Sequence, residues 1–246
     1  MRGLPLALLA AAALPAAAQV PVAVNQESPR WGSFQVSISP YSPNIDSEFG
    51  GTAYPYGEAF GSSRPLMVQG IFNRSAWVES YGSLDIGFGL GYWQNDGVAI
   101  YKAGGVTQTG GKTSLSVLPL TLSLGYRLDL FWRWWGVPFA PYVRGQIMDY
   151  IWWSSGQNGT STYLTNGTVY RASGATFGYS GTLGLALVLD FFDPTLARQM
   201  DYDVGINSTM LFFDFTKGSV NDFGSKNSWQ LAAGYWQWSI GLLFVF

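Results

Sequence analysis

Cysteine and histidine are both missing from the 246 residues. Without cysteine there are no disulfides, no thiolate metal sites and no lipid attachment through an N-terminal cysteine. Without histidine the commonest general base and metal ligand is gone. Charge is scarce as well: 11% of residues, low for a soluble surface, with a formal net charge of −2. That balance provides no basic footprint, so nucleic acid is not an expected partner. After the first residues no run of about 20 apolar side chains occurs, which excludes helical membrane spans. The mean hydropathy is nevertheless +0.11. Aromatics make up 17%, including 11 Trp and 14 Tyr. Apolar side chains spread over alternate positions, with aromatic girdles at two heights, would produce this combination in a membrane β-barrel.

Residues 1–18 read as a signal peptide, with Arg2 as the positive start, Leu4 to Leu14 as the apolar centre and Ala16-Ala17-Ala18 as the cleavage site. Residues 19–30 follow as a periplasmic lead-in, and 31–246 as the barrel. The first strand, Trp31 to Ser39, sets Phe34, Val36 and Ile38 against Ser33, Gln35, Ser37 and Ser39. A loop rich in Pro, Gly, Ser and Tyr is expected over Tyr41–Arg64, and a second strand over Pro65–Asn73 with a turn near Arg74 and Ser75. The third strand sets Leu84, Ile86, Phe88, Leu90 and Tyr92 against Ser83, Asp85, Gly87, Gly89 and Gly91, and its inward glycines suit a narrow barrel. Gln94–Thr113 is expected as a second loop. The fourth strand, Ser114 to Arg127, faces Leu118, Leu120, Leu122 and Leu124 outward, and Pro119 within it is expected to mark a bulge.

An aromatic turn, Leu128–Val137, leads to a fifth strand, Phe139–Trp152. Ser154–Ala172 reads as a third long loop and Thr176–Phe191 as the sixth strand. Asp193-Pro194 opens a helical turn to Met200, with Asp193 as N-cap and Pro194 at the first helical position. Val204–Thr216 forms the seventh strand, with Met210, Phe212 and Asp214 inward. After a fourth loop, Lys217–Asn227, the closing strand is expected over Ser228–Phe246, long enough to project above a membrane at Trp229. Its last stretch places Trp236, Trp238, Ile240, Leu242, Phe244 and Phe246 on one face, and Gln237, Ser239 and Gly241 on the other. In a closed barrel this strand has no exposed edge. The fold expected is all-β: a transmembrane up-and-down antiparallel barrel of about eight strands. A count of ten requires a hairpin hidden in the first or third long loop.

Several short motifs carry a family resemblance. Ser28-Pro29-Arg30-Trp31-Gly32 opens the first strand, and Pro43-Asn44-Ile45-Asp46-Ser47-Glu48 lies in the first loop. Asp193-Pro194-Thr195-Leu196-Ala197-Arg198 runs into Asp201, Asp203 and Gly205, and Asn221-Asp222-Phe223-Gly224 precedes the last strand. Together they resemble a myxobacterial outer-membrane β-barrel family over essentially the whole mature chain. The resemblance implies fold and location, the outer membrane of a Gram-negative bacterium with both termini periplasmic. It implies no activity. Outer-membrane barrels with aromatic endings of this kind also imply that Trp238, Ile240, Leu242, Phe244 and Phe246 form the signal read by the barrel insertion machinery. The other expected partner is outer-membrane lipid, and an external ligand is unknown.

Catalytic motifs are thin. Barrel hydrolases that pair serine with histidine are excluded, and inward serines read as ordinary polar lining, so no enzyme, metal site or cofactor is expected. Gly110-Gly111-Lys112-Thr113 ends like a P-loop but lacks a glycine at Val106 and a following helix, and reads as a loop tip. Asp201-Tyr202-Asp203 has the spacing that opens a calcium loop without the remaining ligands, and reads as solvated turn carboxylates. Asp85, Arg127 and Arg144 all fall on inward faces near the periplasmic end. Because buried charges must pair, they form the candidate lumen network, either a core that fixes register or a gate for ions. Two functions follow: a structural or surface-interaction barrel with long external loops and a closed lumen, or a small passive pore or carrier for ions or small apolar solutes. A soluble sandwich adhesin is the third and least favoured.

Overall fold

The computed structural model describes residues 28–103, 106–156, 159–165, 168–225 and 228–246. The expected signal peptide, 1–18, and the lead-in as far as residue 27 lie outside the described residues. In chain order the strands are β1 (Gly32–Pro40), β2 (Leu66–Glu79), β3 (Gly82–Ala103), β4 (Val106–Leu128), β5 (Phe139–Gly156), β6 (Gly159–Thr160), β7 (Thr162–Thr165), β8 (Thr168–Arg171), β9 (Ser173–Val188), β10 (Ser208–Val220) and β11 (Gln237–Val245). The helices are α1 (Pro55–Phe60), α2 (Leu130–Trp135) and α3 (Pro194–Val204). Eight strands pair antiparallel in the order β1-β2-β3-β4-β5-β9-β10-β11, and β11 returns to β1. The sheet is a closed antiparallel eight-stranded barrel. At the closing seam Phe34 lies opposite Phe244, Val36 opposite Leu242 and Ile38 opposite Ile240, while Gln35 meets Leu243 and Ser37 meets Gly241 on the inner face.

The period-two pattern sorts the two faces. Phe88 (57%), Leu122 (55%) and Leu183 (56%) stand exposed on the outside, whereas Thr121, Ser123, Gln146 and Thr182 are buried inside. The barrel is narrow enough that inward glycines are required. A Cβ on Gly87 or Gly89 would collide with the Asn73 or Thr121 side chain, and one on Gly91 would sit 2.8 Å from Cγ of Pro119. Pro119 itself lacks an N–H to donate. The β3–β4 ladder passes from Leu90↔Leu120 to Trp93↔Val117 in one register, so the bulge expected there does not form. Register shifts fall instead between Ser75 and Trp77 and between Val98 and Ile100.

Strand lengths depart from the expectation at both ends of the barrel. β2 continues past Arg74 and Ser75 to Glu79, and the turn sits at residues 80–81. β3 and β4 extend as a paired ribbon through most of the expected second loop, with Val98 opposite Lys112. The Gly110–Thr113 segment is therefore strand, not loop tip. In the third loop β7 and β8 pair only with each other, Tyr163 opposite Tyr170, so a hairpin exists there without adding to the barrel count. β11 is shorter than expected and begins at Gln237, which removes the predicted projection above the membrane. The preceding run Leu231-Ala232-Ala233 has no alternation, and all three residues are buried over the barrel mouth. α3 runs past Met200 to Val204, with Asp193 accepting from the N–H groups of Thr195 (3.1 Å) and Leu196 (3.0 Å), and stops at Gly205 in the left-handed region (φ 72°).

The interior has three levels. At the loop end Tyr41, Tyr56, Trp93, Tyr150, Val220 and Leu231 form an apolar cluster. Tyr41 meets Trp93 edge-on at 4.9 Å, donates its hydroxyl to the Leu231 carbonyl, and Trp93 Nε1 donates to the Pro65 carbonyl at 3.1 Å. At the turn end Tyr142, Val188, Met210, Phe212, Leu243 and Val245 form a second apolar cluster. Met210 and Phe212 thus point inward as expected and pack against neighbours. Between the clusters lies a polar waist.

Candidate functional site

The waist is built from alternating inward positions of every barrel strand, so its polarity follows from the same period that makes the outside apolar. Asn73 Nδ2 donates to Ser33 Oγ at 3.1 Å, Ser180 Oγ to Gln146 Oε1 at 3.0 Å, and the Thr182 and Thr216 hydroxyls lie 2.7 Å apart. Asp214, buried on β10, accepts from the Tyr142 hydroxyl at 2.7 Å and from the Ser239 hydroxyl. A buried carboxylate needs such donors, and two hydroxyls supply them here.

Asp85, Arg127 and Arg144 are all buried and all reach the wall of one cavity of about 20 Å³. Their direct partners are different. Asp85 accepts from the hydroxyls of Ser75 (2.7 Å) and Ser83 (3.1 Å). Arg144 donates to Gln35 Oε1 at 2.6 Å and lies 5.4 Å from the Tyr142 ring centroid. Arg127 pairs through Nε with Asp129 Oδ1 at 2.9 Å. The structure therefore gathers the three charges around one small space and gives each its own partner.

Asp129 and Arg30, the latter named above only within the Ser28–Gly32 motif, complete the charge cluster. Arg30 Nη1 reaches Asp129 Oδ2 at 2.7 Å, so one carboxylate bridges two guanidiniums. The side chains of Arg30, Arg127 and Asp129 are 11%, 6% and 3% exposed. Burial alone would raise the Asp129 pKa, but Arg127 and then Arg30 outweigh it and hold the carboxyl below its usual value. Because this side chain is committed to arginines, it makes no capping bond to α2, which it precedes. The signal for Asp129 was present: it continues the inward parity of Thr121, Ser123 and Arg127 one step past the strand end. Arg30 had no such signal, since no periodicity places a lead-in residue.

The segment before β1 is fastened to the same end. Ser28 donates through its N–H (3.1 Å) and hydroxyl to Asp201, and Asn207 Nδ2 donates to the Ser28 carbonyl at 2.6 Å. Asp201 and Asp203 lie in the last turn of α3, so the Asp201-Tyr202-Asp203 triplet is helical and not a free turn. On β11, Trp238 (41%), Ile240 (36%) and Leu242 (40%) are exposed on the outer wall and Phe244 is half-buried. Phe246 follows the strand, its N–H donating to the Gly32 carbonyl at 2.9 Å and its ring stacked 5.8 Å from that of Trp31.

No family model and no curated protein matches the chain. Solved structures do show likeness. The attachment invasion locus protein Ail of Yersinia pestis, solved with and without the heparin analogue sucrose octasulfate, shares 9% identity over 88% of this chain and 99% of its own, with a TM-score of 0.38. The N-terminal β-barrel domain of Pseudomonas aeruginosa OprF shares 11% identity over 89% and 100%, with a TM-score of 0.30. At such scores neither adds to the assignment of the fold, which rests on the closed ladder of this chain.

Proposed function

We propose that this protein is an integral outer-membrane β-barrel with a closed lumen, serving a structural or surface-interaction role through its loop end. The observation that carries this reading is the inversion of polarity. Large apolar side chains such as Ile86, Phe88, Leu122 and Leu183 stand exposed around the outside while the polar and charged residues are buried within. Water penalises that distribution and a bilayer favours it. Trp134 and Trp135 on the helix after β4, and Trp229 and Trp236 before β11, are exposed, as side chains of interfacial girdles would be. Both termini are read as periplasmic, and β11, with Trp238, Ile240, Leu242 and Phe244, together with Phe246 after it, as the segment presented to the insertion machinery. The resemblance to the myxobacterial barrel family agrees with this location.

Closure of the lumen is supported by its filling. Apolar clusters occupy both ends, and the waist cavity of about 20 Å³ has room for about one water. Met210 and Phe212, the inward apolar side chains that a carrier for apolar solutes would use, are 4% and 2% exposed and pack against Val188, Leu243 and Val245. A non-enzymatic role fits the absence of any nucleophile–base pair that histidine would have supplied. Fractionation of cells expressing the full chain, with unboiled and boiled samples run side by side on a gel, tests the reading. Recovery in the outer-membrane fraction with heat-modifiable migration is expected; recovery in the soluble fraction would overturn it.

A further inference from the structure

At the turn end, α2 and α3 stand against the barrel rim and leave a cavity of about 240 Å³. That equals the liquid volume of about eight waters, enough for a small polar group. Met210, Val245 and Trp132 form its apolar part, and Arg30, Arg127, Arg133 and Arg198 are all on its wall. The charge there does not balance locally. Arg30 and Arg127, nearly buried, share the single carboxylate of Asp129, so this triad carries one excess positive charge. Asp85 acts on Arg127 from the waist side, where both line the smaller cavity together with Arg144. Burial first, and then the nearby Arg133 guanidinium, hold the Arg30 pKa below its ordinary value. The other two acids on the wall have donors of their own, Asp190 the Thr209 N–H at 3.1 Å and Asp201 Ser28, and counted with Asp129 they leave the four arginines one positive charge in excess. Ser208 and Asn207 stand in the same wall, and their buried Oγ and Oδ1 have no hydrogen-bond partner among the described residues.

We infer that this vestibule binds an oxyanion group, a carboxylate or phosphate, carried by a ligand that also offers an N–H or O–H. The guanidinium forks match either oxyanion in paired hydrogen bonds, Ser208 Oγ adds a donor, and Asn207 Oδ1 accepts from the adjoining group. An anion in this position offsets the excess charge of the triad, which is costly to leave uncompensated among buried groups. The site stands independently of the membrane reading, which decides only that the ligand comes from the periplasm.

The test uses the purified full chain folded in zwitterionic detergent at low salt, with calorimetric titration of three probes: inorganic phosphate, N-acetyl-alanyl-alanine, and the same dipeptide as its C-terminal amide. Saturable binding of phosphate or of the free dipeptide is expected, with the amide inert. Binding of phosphate alone assigns a phosphate ligand, and binding of the dipeptide alone a carboxylate. Affinity should fall about tenfold in Arg30→Gln and remain unchanged in Lys217→Gln on the outer wall. If Arg30→Gln does not fold, as judged by gel mobility of the unboiled protein, the exposed Arg198→Gln carries the comparison, with a loss of about threefold or more. Saturable binding by neither charged probe, equal binding of the amide, or affinity indifferent to the arginine substitutions would overturn the inference.

Discussion

Replacing Asp129 by Asn keeps its shape and removes the charge that joins Arg30 to Arg127. Both guanidiniums stay nearly buried, 11% and 6% exposed, and their contacts at 2.7 and 2.9 Å lose the anionic partner. Removing one member of a buried ion pair costs about 3–5 kcal/mol, mostly because the remaining charge is left uncompensated. With a urea dependence of about 2 kcal/mol per molar, the midpoint falls by about 1.5–2.5 M. The assay is equilibrium unfolding in vesicles, followed by Trp fluorescence. The pH dependence gives an independent check. Because the folded-state pKa of Asp129 is depressed by Arg127 and Arg30 against the effect of burial, its contribution is complete above the unfolded value of about 3.9. It declines as pH drops below that value and is gone once pH has passed the lower folded-state pKa. The wild-type protein should lose this stability on acidification, and Asp129→Asn should lack that component. A midpoint shift below about 0.3 M, or identical acid profiles, would refute the bridging role.

Other outcomes follow from particular contacts. Phe88→Arg places a charge on the outer wall where Phe88 is 57% exposed; it should cost about 2–4 kcal/mol in a bilayer and much less in detergent, as read by unfolding in both. Leu231→Ala, at a fully buried residue of the loop-end cluster, should cost about 2–5 kcal/mol and expose the 228–236 segment to limited proteolysis. Gly91→Val brings a Cβ to 2.8 Å from Pro119 Cγ and 3.0 Å from the Val68 carbonyl oxygen, and should lower the unfolding free energy by about 1–3 kcal/mol.

The barrel was legible because one physical rule, apolar out and polar in at every second residue, acts on all eight of its strands. Phe34, Val36 and Ile38 on β1 and Leu118 to Leu124 on β4 could be assigned to a face without knowing their neighbours. The rule fails where its cause ends. Beyond the waist the β3–β4 ribbon keeps its alternation of burial but not of polarity: Asn95 is buried opposite Leu115 and donates to the Tyr56 hydroxyl at 3.0 Å, while Asp96 beside it is exposed, so the pattern of residue types carries no strand signal there. The closing strand was overextended for the opposite reason: the terminal aromatic face drew in Trp229 and Trp236, while Leu231-Ala232-Ala233 turns inward to cover the mouth. The charges show the same limit. Parity placed Asp85, Arg127 and Arg144 inside, but partnership depends on the stagger between strands and on segments outside them. Arg127 therefore finds Asp129 and a lead-in arginine, and Arg144 finds Gln35 across the barrel.

We propose a lumen shut by its own side chains: Tyr41, Trp93 and Leu231 at one end, the Asp85–Arg144 waist, and Phe212 with Leu243 at the other. Single-channel recording of the purified, folded protein in a planar bilayer tests it most directly. Silent membranes are predicted under conditions where insertion is verified by protease protection. Reproducible unitary steps from the wild-type protein would contradict the closed lumen and favour the passive pore.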